Sequence, residues 1–157
     1  GWVVDHNRVC LGAGETTFHR AVEALRAWRM ARLGWAELQP PGAPAEPGTV
    51  VAMRVRVAGL WSLNACRVVY AEDGERDGVR RVAFAYGTLP GHAESGEERF
   101  AVEWHGADDR VWYDLLAFSR PRHPLARLGY PVVRALQRRF GRDSKRAMVE
   151  ATRTPVG

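Results

Sequence analysis

Cysteine is scarce in this chain: Cys10 and Cys66 are the two present among 157 residues, far apart and outside any CxxC or Cys/His ligand spacing. Disulfide scaffolding and structural zinc therefore lack support, and the pattern suits a reducing compartment, with the cytoplasm as the expected location. Lysine is scarcer still, since Lys145 is the one lysine among 23 basic residues. A formal charge of +5 could advertise nucleic acid. So heavy a preference for Arg, beside abundant Ala, Gly and Val, is instead what GC-rich codon usage yields, and no nucleic-acid partner is expected. No run of about 18 apolar residues is available to cross a bilayer. No basic-then-apolar leader opens the chain, so neither membrane insertion nor secretion is expected. The opening Gly1-Trp2, without methionine, suggests a missing start.

A length of 157 residues suits one ligand-binding domain over 1–157, able to bury about 70% of its extended-chain surface, enough for one core with a cavity. Trp2 to Leu11 contains a β-like run, closed by Gly12-Ala13-Gly14. Phe18, Ala21, Val22, Leu25, Trp28 and Leu33 then recur at three- and four-residue steps. With Thr16 or Thr17 as N-cap and Glu15 near the positive end, they predict an amphipathic helix. Gln39 to Gly48, rich in Pro and Gly, reads as an exposed loop. From Thr49 to Pro121 the period becomes two, broken at Ala58-Gly59, Glu72 to Gly78, Pro90 to Gly96 and Gly106 to Asp109, which predicts five strands in a meander. Pro124 to Glu150 carries Leu125, Leu128, Val132, Leu136, Phe140 and Met148 as one apolar stripe, and Pro131 should kink or restart that helix. The opposite stripe, Arg134, Arg138, Arg142 and Arg146, reads as a solvated and dispensable face. A meander cannot hide its apolar face alone. The expected fold is therefore α+β, a curved antiparallel β-sheet or partial barrel wrapped around the long C-terminal helix, with an internal cavity.

Hairpin register assigns the faces. If Thr88 faces Glu98, then Tyr86, Phe84 and Val82 face Phe100, Val102 and Trp104, and a short Gly106 to Asp109 loop sets Val111, Tyr113 and Leu115 on the same surface. Pairing Tyr70 with Arg80 adds Val68, Cys66 and Asn64, and the next hairpin adds Val57, Val55, Met53 and Val51. The polar exceptions on this face are Asn64, Tyr86, Thr88, Glu98 and Tyr113. A carboxylate buried among hydroxyls and aromatics needs partners or a raised pKa, so this cluster is a candidate site, unless Glu98 sits hydrated at the sheet edge. The same register turns Trp112, Leu116 and Phe118 outward. Either they form a subunit contact, as in a homodimer, or a loop one residue longer reverses the strand and places Asp114 inside instead of Tyr113.

The stretch Tyr86-Gly87-Thr88-Leu89-Pro90-Gly91-His92 followed by Gly96-Glu97-Glu98-Arg99-Phe100 resembles an uncharacterised family of bacteria and plants, the domain of unknown function numbered nineteen-ninety. Leu11 to Gly14, Arg67 to Tyr70, Ala117 to Pro121 and Gln137 to Phe140 also match, so the resemblance covers nearly the whole chain. Its element order is similar to the helix-grip superfamily of START-like lipid carriers, pollen-allergen-like proteins and aromatic polyketide cyclases. That likeness implies a cavity between sheet and terminal helix, and no particular activity.

His92, Glu94, Glu97 and Glu98 bring imidazole and carboxylates to a loop entering the inner face, the equipment of acid–base chemistry, or else ordinary solvated turn residues. His92-Ala93-Glu94 matches half of a zinc-deaminase pattern but lacks its cysteines, so no metal is expected. Gly12-Ala13-Gly14 lacks phosphate-loop spacing, and nothing places a histidine beside Ser119. The leading expectation is a cofactor-independent enzyme that cyclises or dehydrates a polyketide-like apolar molecule, as in cyclic-acetal formation. Glu98, His92 and Tyr86 would be catalytic, while Asn64, Thr88, Tyr113, Phe84, Phe100 and Trp104 would bind substrate. The alternative is a noncatalytic carrier or sensor of a small hydrophobic ligand.

Overall fold

Alternating apolar and polar residues build seven strands: β1 (Val3–Ala13), β2 (Ala36–Gln39), β3 (Val50–Val57), β4 (Leu60–Arg76), β5 (Val79–Thr88), β6 (Glu94–His105) and β7 (Arg110–Pro121). Every pairing is antiparallel, and the strands lie in the order β1-β7-β6-β5-β4-β3-β2. The computed structural model describes residues 1–90, 94–122 and 124–153, a sheet curled into a half-barrel with two helices, α1 (Glu15–Arg26) and α2 (Tyr130–Arg153).

Two hairpins, β4–β5 and β5–β6, are tighter than the sequence reading allowed, while β6–β7 pairs Trp104 with Val111 as expected, and the inner face agrees with the reading. Asp77 and Gly78, at φ 54° and 77°, form a two-residue turn, so β4 runs on through the acidic stretch that read as a loop. Asp-Gly is the dipeptide that such a turn favours. A bulge between Val68 and Tyr70 absorbs the odd residue: Val68 pairs with Tyr86 and Tyr70 with Ala85, rather than Tyr70 with Arg80. In the next hairpin Tyr86 opposes Glu98 and Phe84 opposes Phe100, two residues from the expected register. An even slip keeps every side chain on its predicted face.

β6 also begins earlier than the sequence reading had it, at Glu94. Read as turn chemistry, Ser95-Gly96 in fact lies within β6, where a Cβ on Gly96 would come within 2.3 Å of the Phe118 carbonyl oxygen. Here glycine serves close strand approach rather than a bend.

Val51, Met53, Val68, Phe84, Phe100 and Val102 are buried together as expected, with Val55 and Trp104 partly so. Their cover differs from the expectation of the terminal helix alone. The first helix stops at Arg26, and Trp28 takes a left-handed conformation at φ 58° before a 3₁₀ turn at Arg29–Ala31. The fully buried Trp28 ring then packs edge-on against Phe84 at 4.7 Å and lies 6.2 Å from Tyr86. Trp104 stacks on Phe18 of α1. One end of the concave face is thus plugged by α1 and Trp28.

The second helix covers the other end. Pro131 stands at its second residue, where a missing N–H is tolerated, so the proline restarts the helix after the 3₁₀ turn Pro124–Arg127 rather than kinking it. Gly141 lets α2 close on β1, since a Cβ there would lie 2.6 Å from Asn7 Nδ2. Met148 is buried, and Leu136 and Phe140 are half-buried, but Leu128 and Val132 are exposed; the Leu125 side chain lies outside the described residues.

Tyr113 faces inward, fully buried, and its hydroxyl shares a 2.7 Å hydrogen bond with Ser144 of α2. Asp114 faces out as the short-loop register requires, yet is only 3% exposed. It accepts hydrogen bonds from Arg8 and Arg99, each at 2.9 Å, and contacts His6 at 2.8 Å. Burial alone would raise its pKa, but these partners win and hold the carboxylate below its ordinary range.

Candidate functional site

Because Trp28 fills only one end of the half-barrel, the concave face beneath the first half of α2 stays open as a cavity of about 390 Å³. Its floor is the sheet, with Met53, Asn64, Cys66, Tyr86, Thr88, Glu98 and Leu115. Its roof is Val133, Leu136, Gln137, Phe140 and Gly141 of α2, and Asp5 and Asn7 of β1 contribute one side.

Strand alternation aims Glu98 inward, directly opposite Tyr86. The residue keeps some accessible surface because it lines the cavity, while its Oε2 is buried with no hydrogen-bond partner among the described residues. Burial, with added repulsion from Glu94 and Asp5, pushes this carboxyl up to about 7. Near neutral pH it can therefore hold or release a proton. Neighbouring groups stay neutral over the same range: burial pushes the Cys66 thiol up to about 12, and holds the Tyr86 and Tyr113 phenols above their ordinary value.

A hydrogen-bonded chain closes one side. Arg134 clasps Asp5 with Nη1 and Nη2 at 2.6 and 2.9 Å, and its Nη1 also donates to Gln137 Oε1 at 2.5 Å. Since guanidinium only donates, Gln137 must present its Nε2 to the cavity side, where it donates to Glu94 Oε2 at 2.8 Å and Ser119 Oγ at 3.1 Å. Arg134 is therefore no member of a solvated stripe; its side chain is 17% exposed and anchors α2 to β1. Burial also raises the Glu94 carboxyl, although hydrogen bonds from Ser119 and Gln137 and the charge of Arg134 oppose it.

Of the residues singled out from sequence, Glu98, Tyr86, Asn64 and Thr88 meet at this cavity. Thr88 Oγ1 accepts from the Gly96 N–H at 3.1 Å, leaving its own proton free to donate. The Asn64 amide makes only long contacts of 3.4 Å to Met53 O and Ser62 Oγ, so it can re-aim toward a guest. Phe84, Phe100 and Trp104 are not in the lining, because Trp28 and Phe18 cover them. Tyr113 is likewise taken up by the core bond to Ser144. His92 lies outside the described residues. Asp5 and Gln137 were not singled out from sequence as site residues, Ser119 was weighed there and set aside, and Arg134 was read as a solvated stripe member; the four gather only when β1, β7 and α2 converge. Ser119 and Gln137 did fall in stretches that carry the family resemblance.

A proton on Glu98 has a thermodynamic consequence that needs no substrate. The carboxyl's folded-state pKa of about 7 exceeds its ordinary 4.5. The native state is thus favoured by the bound proton below the lower value, and loses that advantage as pH rises through the higher one. We predict that Glu98→Gln, which removes the charge and keeps the shape, stabilises the protein at pH 8 by up to about 3 kcal/mol and little at pH 4.5. Thermal melts should then show a gain of about 5 °C or more at pH 8. An equal shift at both pH values would contradict this titration.

A family model described as Domain of unknown function (DUF1990) matches residues 1–147. A UPF0548 protein of Dictyostelium discoideum is 39% identical over 155 residues, covering 94% of this chain and 72% of its own. A UPF0548 protein of Deinococcus radiodurans is also 39% identical, over 173 residues, covering 96% of this chain and 84% of its own. These relatives span an amoeba and a bacterium, so kinship does not fix a bacterial source. Among solved structures, the Zhui aromatase/cyclase from Streptomyces sp. R1128 superposes with a TM-score of 0.62 at 13% identity, over 98% of this chain and 94% of that one. Norcoclaurine synthase from Thalictrum flavum gives 0.53 at 10% identity, over 96% of this chain and 86% of that one. Likeness at such identity establishes the helix-grip fold and nothing finer.

Proposed function

We propose that this chain, which belongs to the DUF1990 family, is a cofactor-independent enzyme that uses Glu98 as acid or base on a small, largely apolar organic molecule held in the cavity. One observation carries this reading: an inward carboxyl whose Oε2 is buried without a hydrogen-bond partner among the described residues, poised at about 7. A group at that value exchanges protons at neutral pH with little driving force lost in either direction. Cyclisation or dehydration of a polyketide-like substrate, including cyclic-acetal formation, asks for little more than such a group and a shaped cavity. Tyr86, kept a neutral phenol, and Thr88 would donate to substrate oxygens, while Asn64 would settle orientation. Two fold neighbours, an aromatase/cyclase and a norcoclaurine synthase by name, support ring-forming chemistry on this scaffold.

A carrier is the second reading, favoured by the aliphatic part of the lining, Met53, Val55, Leu115, Val133 and Leu136, which holds a guest without requiring chemistry. Native mass spectrometry of protein isolated from its own host identifies a retained molecule. Incubating that molecule with fresh protein then decides the matter, since an enzyme converts it and a carrier returns it unchanged.

A further inference from the structure

The cavity's electrical character opposes that of the chain. The protein carries a formal charge of +5, yet Asp5, Glu94 and Glu98 line the cavity and, among the described residues, no lysine, arginine or histidine does. Glu97 also borders it, but its strand position turns that side chain to the outer face. Asp5 is clasped by Arg134, which is not in the lining, and Glu94 accepts from Gln137 and feels the Arg134 charge. Glu98 lines the space, and its Oε2 is a buried acceptor with no hydrogen-bond partner among the described residues. An anionic guest would be repelled here, and a neutral hydroxyl could satisfy only one lone pair. An ammonium group supplies both the donor and the compensating charge that an ionised carboxylate in an apolar site requires.

We propose that the cavity takes a small organic cation, an apolar ring or chain bearing one protonated amine whose N–H donates to the Glu98 carboxylate. This deepens the acid–base reading and rests on Glu98 being its central group. An ionised Glu98 paired with the amine is also placed to accept a proton from that end of the substrate. Among the described residues, the titratable groups that act on Glu98 are Asp5 on β1, Cys66 on β4, Tyr86 on β5, Glu94 on β6 and Tyr113 on β7, and Arg134 of α2 acts on Asp5 and Glu94. Of these the thiol and phenols remain neutral throughout, so the Glu98 carboxyl, at about 7, governs binding between pH 5.5 and 8.

Three probes of one shape and different charge test the assignment: 2-phenylethylamine, 2-phenylethanol and phenylacetate, titrated into the intact protein by calorimetry with cavity contact checked by NMR shifts of Tyr86, Thr88 and Leu115. At pH 8 the amine should bind about tenfold or more tighter than the alcohol, the scale of one charge-assisted hydrogen bond, and phenylacetate should bind most weakly. That preference should shrink severalfold at pH 5.5, where Glu98 is protonated. Glu98→Gln should abolish it while still binding the alcohol, which separates Glu98 from Glu94. Equal or better binding of the alcohol or phenylacetate overturns the inference, as do an amine preference that survives in Glu98→Gln and a cavity that takes none of the three. The acid–base reading itself falls by a different result, a ligand-free Glu98 that titrates as an ordinary carboxyl.

Discussion

Glu98→Gln should lower kcat by about 10²-fold or more, the usual scale for a lost general acid or base, while KM stays within a few-fold. Gln preserves the volume and one hydrogen-bonding oxygen of the original side chain but cannot exchange a proton. A substrate held by the aliphatic walls and by Tyr86 and Thr88 would still dock. The loss should therefore fall on turnover, and the limb of the pH profile with an apparent pKa near 7 in the wild type, acidic if Glu98 is the base and alkaline if it is the acid, should vanish with it. Because the same substitution relieves a buried charge, the variant should melt higher at pH 8 than the wild type. Reduced activity could then not be assigned to unfolding. Wild-type turnover by the folded variant would remove Glu98 from the chemistry and favour the carrier.

Trp28→Ala should cost about 3–5 kcal/mol, the range for deleting a buried aromatic, and lower Tm by about 10 °C or more. Trp28 is fully buried, contacts the Phe84, Tyr86 and Phe100 rings, and donates its Nε1 proton to the Ala43 carbonyl at 2.8 Å. Truncation leaves a void and an unpaired carbonyl. Trp28→Phe, which keeps a ring but not the donor, should lose roughly half as much. Denaturant melts of the three proteins check this. A loss below about 1 kcal/mol for Trp28→Ala would mean that the ring is not what separates core from cavity.

Side-chain parity was the legible part of this fold. Alternation through β5, β6 and β7 put Tyr86, Glu98 and Tyr113 on one face even where the pairing was displaced, because an even slip and the β4 bulge both conserve the face. What alternation cannot encode is what covers each stretch of that face. Tyr113 and Tyr86 look alike in sequence, yet Ser144 from α2 claims one while the other borders open space. Phe84 and Phe100 read as ligand walls until the backbone reversal at Trp28 brings a ring over them. The arginine stripe misled for the same reason: helical spacing cannot tell that Arg134 alone among its four members meets Asp5 from the far end of the chain.

The most direct test of the central claim is the titration of the Glu98 side-chain carboxyl by ¹³C NMR in the ligand-free protein, with its resonance assigned by its loss in Glu98→Gln. A midpoint near 7, well separated from the exposed glutamates, is the result expected of an acid–base group held in an apolar cavity. A midpoint near the ordinary 4.5 would show a hydrated carboxylate, and would contradict both the poised proton and the function built on it.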